Sequence, residues 1–146
     1  MDRAQINAIF DEHLNWVLTA GKSGKQAGYE GADMTDANLH GRTLHRARFN
    51  NAICHRTHFI RAELMGADFS AADLTGAFFH RANVNGARFN GANLRDAEFN
   101  HADLRGADLS GADLRGADFH KAKFDQDTKL EGAIVDGALG LPRRAA

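Results

Sequence analysis

The chain has 146 residues, with 18 Lys and Arg against 19 Asp and Glu and a formal net charge of −1. With 43% apolar and 25% charged residues the composition is ordinary for a soluble chain of one domain. No charged-then-apolar leader opens it and its apolar runs fall short of a membrane span, which predicts a cytoplasmic protein that meets no membrane. The one cysteine, Cys54, has no partner for an internal disulfide.

At the N-terminus, Asp2 is placed to cap a helix whose apolar positions Ile6, Ile9, Phe10, Leu14, Val17 and Leu18 keep helical spacing as far as Gly21. Gly21-Lys22-Ser23 superficially suggests a phosphate loop, in which backbone amides cradle phosphates. The earlier glycine of such a loop would fall at Trp16, so the segment reads as a flexible linker.

From Ala32 to Gln126 the sequence repeats every five residues, nineteen times without an insertion. The centre of each unit is apolar, and the residue two before it is alanine in seventeen units, the exceptions being Arg42 and Thr57. A period of five would smear apolar groups around a helix, whereas in an extended segment residues two apart share a face. Alanine and the centre therefore point inward and the flanking residues outward, with three residues forming a short strand and two a corner. The last position is Gly in eight units, as a corner with unusual backbone angles favours. Self-similarity of this kind marks a solenoid.

Units such as Ala72-Asp73-Leu74-Thr75-Gly76 and Ala112-Asp113-Leu114-Arg115-Gly116 resemble the pentapeptide-repeat family. The resemblance implies an all-β fold, a right-handed quadrilateral β-helix in which four units make one square coil and residues twenty apart stack at roughly 4.8 Å. Side-chain sizes sort accordingly. Leu39, Phe59, Phe79, Phe99 and Phe119 fall in one column and Phe49, Phe69, Phe89 and Leu109 in the opposite one, with smaller groups between. On this plan residues 1–31 form a helical cap and linker, 32–126 the repeats, and 127–146 a C-terminal cap and tail. The helix folds over the first coil, where Arg42 occupies an alanine slot. Beyond Phe124 the period breaks; Leu130, Ile134, Val135, Leu139 and Leu141 are available to cover that end or to form a homodimer, and Pro142 with Arg143-Arg144 reads as a frayed tail.

Nothing in the pattern resembles an active site. Cys54 points inward, as a small apolar group does, while His55 points outward and His58 lies past a corner, so these three do not converge as metal ligands must. Asp103, Asp108, Asp113 and Asp118 sit on successive walls and point in four directions, unlike paired catalytic carboxylates. The expectation is no enzyme, cofactor or metal.

Charge is more informative. Residues 37–62 hold five arginines and four histidines with no carboxylate, whereas between Arg95 and Asp118 six acids outnumber three arginines. One wall sets Ile60 and Phe78 outward beside His40, His58, His80, Arg61 and Arg81, the composition of a protein-contact patch. These seven residues are the candidate partner surface of a non-enzymatic scaffold or interaction module. The alternative that the resemblance implies is a DNA mimic that binds a type II topoisomerase and confers quinolone resistance; with twelve acidic and twelve basic residues in the repeats, this chain lacks the continuous negative surface such a mimic needs. Nucleic-acid binding is unsupported, since neither a docking motif nor a row of stacking aromatics is present.

Overall fold

The computed structural model of the protein describes residues 1–143; Arg144 of the expected tail lies outside them. Helix α1 spans Arg3–Leu18. Asp2 caps it reciprocally: its carboxylate accepts the Gln5 N–H at 2.8 Å, and the Gln5 side chain accepts the Asp2 N–H at 2.9 Å. Ile6 is buried and Ile9 and Phe10 pack partly against the core, but the inward stripe does not extend to Leu18, which is 76% exposed. His13 is buried in its place. Among the described residues no helix is long and apolar enough to cross a membrane.

The segment after α1 is folded back rather than loose. Thr19 Oγ1 accepts the Ser23 N–H at 2.9 Å, Asn15 Nδ2 donates to Ser23 Oγ at 3.0 Å, and Lys25 donates its N–H to the Glu12 carbonyl at 3.2 Å. Gly24 has a φ of 77°, and a Cβ there would stand 2.3 Å from the Glu12 carbonyl oxygen, so only glycine permits this approach.

Beyond the turn, parallel bridges recur at one offset. Asn38 pairs with His58, His58 with Phe78, Phe78 with Glu98 and Glu98 with Asp118, each twenty residues further on. Three more ladders run alongside, so four units complete a coil. The ladder through Asn38 is wall A; those through Thr43, Arg48 and Asp33 are walls B, C and D. Backbone groups are satisfied between coils. Phe59 donates its N–H to the Phe78 carbonyl at 2.8 Å, His58 to the Ala37 carbonyl at 2.9 Å, and Ala62 closes the corner by donating to the Phe59 carbonyl at 3.0 Å.

Both ends extend the expected repeat. Gly28 pairs with Arg48, so the ladder starts with the unit Ala27 to Gly31 rather than at Ala32, with Tyr29 buried at its centre. A tyrosine fits an end coil because its hydroxyl reaches the cap, donating to the Ile6 carbonyl at 3.4 Å. At the other end Lys129, Ile134 and Leu139 rejoin walls C, D and A after one inserted residue. The insertion is absorbed in a turn where Asp125 Oδ1 accepts the N–H groups of Thr128 and Gly106, each at 3.0 Å. Thr128 then fills an alanine slot and donates its hydroxyl to the Leu104 carbonyl at 3.0 Å. Thr57, the threonine already noted in an alanine slot, does the same to the Met34 carbonyl at 2.8 Å.

The core runs along the coil axis. Tyr29, Phe49, Phe69 and Phe89 stack with centroids 4.8 to 5.0 Å apart, and Phe59, Phe79, Phe99 and Phe119 at 4.5 to 5.0 Å. The two columns meet edge to face, as Phe69 and Phe79 do at 5.7 Å. Rings thus combine the two favourable aromatic geometries in one continuous column pair.

Candidate functional site

Ten of the nineteen units from Ala32 share a local bond at their outward positions. The N–H of the residue after each centre has no backbone acceptor, and Asp or Asn before the centre supplies one. Asp68 accepts from Ser70 at 2.9 Å, Asp73 from Thr75 at 3.2 Å, and Asp118 from His120 at 2.9 Å. This accounts for the Asp and Asn of the repeat.

Nine of the nineteen units from Ala32 depart from this pattern, on every wall, and on wall A three successive coils do so at His58, Phe78 and Glu98. His58 and Phe78 stand where Asp or Asn is usual, and the N–H groups of Ile60 and His80 have no protein acceptor among the described residues. The two rings tilt against each other with centroids 4.8 Å apart, and Phe78 meets His80 edge-on at 6.2 Å. His80 Nε2 lies 2.6 Å from Glu98 Oε2. Ile60 and Phe78 are half-buried rather than freely exposed. Of the seven predicted surface residues, His58, Ile60, Phe78 and His80 gather on wall A, with Arg61 and Arg81 at its edge. His40 lies one coil earlier and borders a cleft of about 590 Å³ shared with Arg3, Asn7, Asp36 and Arg42.

The basic band is less basic in three dimensions. Arg48 pairs with Glu30 at 2.7 Å, and Arg56 makes two bonds to Asp36 at 2.8 and 3.0 Å, so acids from the preceding coil offset it. Arg42 is committed to the cap as expected: Nη2 donates to Asn7 at 2.6 Å and the guanidinium lies 4.3 Å from the Phe10 ring centroid. In the acid-rich coils Arg105 and Arg115 close on Asp103 and Asp113, each at 2.6 Å. Axial charge contrast is therefore weak. Arg61 and Arg81 have no ion-pair partner among the described residues.

Cys54, His55 and His58 stay apart. Cys54 is buried, and burial pushes its thiol up to about 12, although a bond with Thr57 acts the other way. His55 Nε2 lies 2.7 Å from Asp73 Oδ2 on wall D, while His58 sits against Phe78 on wall A. Among the described residues no group of three His, Cys, Asp or Glu is placed to hold a metal ion. Asp103, Asp108, Asp113 and Asp118 belong to walls B, C, D and A in turn.

Sequence reasoning missed His13, whose Nδ1 accepts the Ala27 N–H at 2.9 Å and so joins cap to coil. A histidine inside an apolar stripe carries no signal of its own. It also missed Lys121 and His101, which continue the edge of Arg61 and Arg81; reading the corners at an offset of twenty residues reveals them.

The family profile for the pentapeptide repeat region matches residues 52–128. No curated protein matches the sequence. Among solved structures, HetL from the cyanobacterium Nostoc sp. strain PCC 7120, a pentapeptide repeat protein involved in heterocyst differentiation regulation, is 35% identical with a TM-score of 0.74. The match covers 79% of this chain and only 54% of HetL. Alr5209, a pentapeptide repeat protein also from Nostoc, is 28% identical with a TM-score of 0.51, over 81% of this chain and 93% of its own. QnrB1, a plasmid-mediated fluoroquinolone resistance protein in trypsin-treated form, shares the fold at a TM-score of 0.65 and 16% identity, over 76% of this chain and 58% of its own. With the repeat profile spanning residues 52–128 and the HetL likeness covering most of the rest, the chain belongs to the pentapeptide-repeat family.

Proposed function

We propose that the protein is a non-enzymatic interaction module, a right-handed quadrilateral β-helix whose wall A meets another protein. The observation that carries this reading is the pair of rings His58 and Phe78, 4.8 Å apart on the outer face, in positions that elsewhere hold Asp, Asn or another non-aromatic residue. The core does not require aromatic residues before its centres, because Phe69 and Leu74 have Asp68 and Asp73 before them. On wall A the aromatic pair stands beside Ile60, edged by His80, Arg61 and Arg81, with His40 one coil away. Aromatic and arginine side chains around an apolar centre suit a protein contact. A framework bonded coil to coil also has little left to order on binding.

The test compares native-extract capture by wild type and by Phe78→Asp. Aspartate is the residue the repeat prefers here, and it restores an acceptor for the His80 N–H, so thermal stability should hold. A protein retained by wild type and by Asn85→Ala but lost with Phe78→Asp supports the reading. Identical capture at unchanged stability removes wall A.

A topoisomerase-binding DNA mimic fits less well, because the cations Arg61 and Arg81 interrupt any continuous negative surface. The likeness to QnrB1 is one of fold. Near the last bridges Ile134, Val135 and Leu139 are 43%, 47% and 61% exposed. Their exposure supports contact there with a second copy of the chain, which sedimentation over a concentration series tests.

A further inference from the structure

One corner of the coil carries an unbroken run of basic residues. Between walls A and B, after Gly41, the corner residue is Arg61, Arg81, His101 and Lys121 in four successive coils, all with left-handed φ of 57 to 61°. The other corners mix glycine with left-handed residues of varied character: Arg46 before Gly66, Gly86 and Gly106 at B–C, Asn51 and Ala71 before Gly91, Gly111 and Gly132 at C–D, and Asp36, Arg56 and Asp96 among Gly76, Gly116 and Gly137 at D–A. Left-handed backbone is strained for residues with a Cβ. Residues with a Cβ adopt it at all four corners, but only at this one do basic residues stack in successive coils.

No carboxylate answers that charge. Glu98 is engaged by His80 at 2.6 Å and Asp118 by Asn100 at 2.8 Å, while on wall B Asp103 is held by Arg105 at 2.6 Å and Glu63 takes the Asn83 amide at 3.2 Å. Arg61, Arg81 and Lys121 form no ion pair among the described residues, and all four corner side chains are exposed. The field is visible at His101: some desolvation first, then Arg81, Lys121, His120 and His80, make it hold a proton less readily than usual. Like charge stacked along one edge and left unanswered marks a binding position rather than a requirement of folding.

We propose that this A–B corner binds an extended acidic polypeptide segment lying parallel to the stack of coils. The proposal rests on the interaction-module reading and names the chemistry of its partner. Four corner residues at the strand spacing span roughly 14 Å. Alternate side chains of an extended chain recur at about 6.7 Å, so three carboxylates on one face fit that length. The strip of free cations is one residue wide. Glu98 and Asp118 border it on wall A and Glu63 and Asp103 on wall B, which suits one slender strand and repels a duplex whose phosphates would overhang both sides. Single-stranded nucleic acid needs open aromatic faces, and one face of Phe78 is already taken by His58, 4.8 Å away in the neighbouring coil.

Glycine at the neighbouring corners provides the test. The double variant Arg61→Gly/Arg81→Gly relieves backbone strain and removes charge, so its melting temperature should equal or exceed that of wild type. Binding of a fluorescein-labelled peptide of alternating glutamate and threonine, read by anisotropy, should weaken about tenfold in the variant, as loss of two exposed charge contacts predicts. Added salt should weaken it in wild type, since exposed charges are screened within about 10 Å at 0.1 M. Arg46→Gly, at a B–C corner with φ of 60°, should leave it unchanged. Absence of peptide binding, equal binding by the double variant, or tighter binding of an oligonucleotide through the same arginines overturns the proposal. Should peptide binding resist the glycine substitutions while Phe78→Asp still loses its captured partner, the corner fails and the interaction module stands. If Phe78→Asp and the double variant both capture what wild type captures, the wider reading fails, whatever the peptide does.

Discussion

His13 and Ala27 are joined by a single hydrogen bond in which the Ala27 N–H donates to the imidazole Nδ1 at 2.9 Å, and this bond ties α1 to the first coil. To accept it, Nδ1 must be unprotonated. Burial lowers the proton affinity of His13 below its ordinary value of 6.5, and the neighbouring His45 lowers it further. A group whose folded value is depressed in this way, and which is neutral when folded, stabilises fully above its unfolded value. That contribution falls away as pH drops below about 6.5 and towards the lower folded value. Amide exchange protection of Arg3–Leu18 should therefore decline between pH 7 and 5 while that of the central coils holds. His13→Asn, which keeps an acceptor that does not titrate in this range, should flatten the response. A wild-type cap equally protected at both pH values would show that the bond does not govern docking.

Phe79 lies mid-column, 4.7 Å from Phe59 and 4.5 Å from Phe99, with Phe69 and Phe89 edge-on at 5.7 and 5.8 Å. Neighbours held by backbone bonds on both sides cannot close in on a void. Phe79→Ala should cost about 3–5 kcal/mol. Asn85→Ala, on an outward position of wall B, should stay within about 0.5 kcal/mol. Chemical denaturation of both variants makes the comparison, and equal losses would contradict the column.

The repeat was legible because period and alternation leave one solution for Ala, the centre and the corner. Column chemistry followed from the offset of twenty residues, so Phe59 over Phe79 was foreseeable. The ends were not. Tyr29 is set apart from the other centres by a hydroxyl that only the cap satisfies, and Thr128 enters an alanine slot only because the Asp125 turn absorbs an extra residue. Local charge counts misled for a related reason. Arg48 and Arg56 find Glu30 and Asp36 a coil away, a distance in sequence that a window of neighbours does not span. The candidate wall was visible as outward Ile60 and Phe78; the stacking of His58 on Phe78 was not, since ring tilt is a packing outcome.

Gyrase offers a discriminating test between contact surfaces. A protein that imitates duplex DNA competes through continuous negative potential, and exposed cations along one edge oppose that. Purified protein at micromolar concentration should leave gyrase supercoiling and its quinolone sensitivity unchanged. Potent inhibition, or protection from the drug, would mean that the acidic walls act independently of the A–B corner.

Asp73 shows what the local Asp/Asn bond contributes to stability. One carboxylate accepts the Thr75 N–H at 3.2 Å and the Thr75 hydroxyl at 2.7 Å, and its second oxygen lies 2.7 Å from His55 Nε2. Burial alone would raise its proton affinity, but the bonds from His55 and Thr75 outweigh that and hold the carboxyl below its usual value of 3.8. The charged form is thus the stabilising one. Its contribution is complete above about pH 3.8 and is lost as pH falls through the lower folded value. Asp73→Ala removes every acceptor and leaves the Thr75 N–H unanswered, at a cost of about 1–3 kcal/mol. Asp73→Asn keeps the turn acceptor while giving up the charge facing His55, so it should cost less than the alanine variant. It should also reduce the loss of stability on acidification below pH 4. Melting temperatures of the two variants at pH 7 and pH 3.5 separate these effects. An asparagine variant as damaged as alanine at pH 7 would place the stabilisation in the His55 contact instead of the turn.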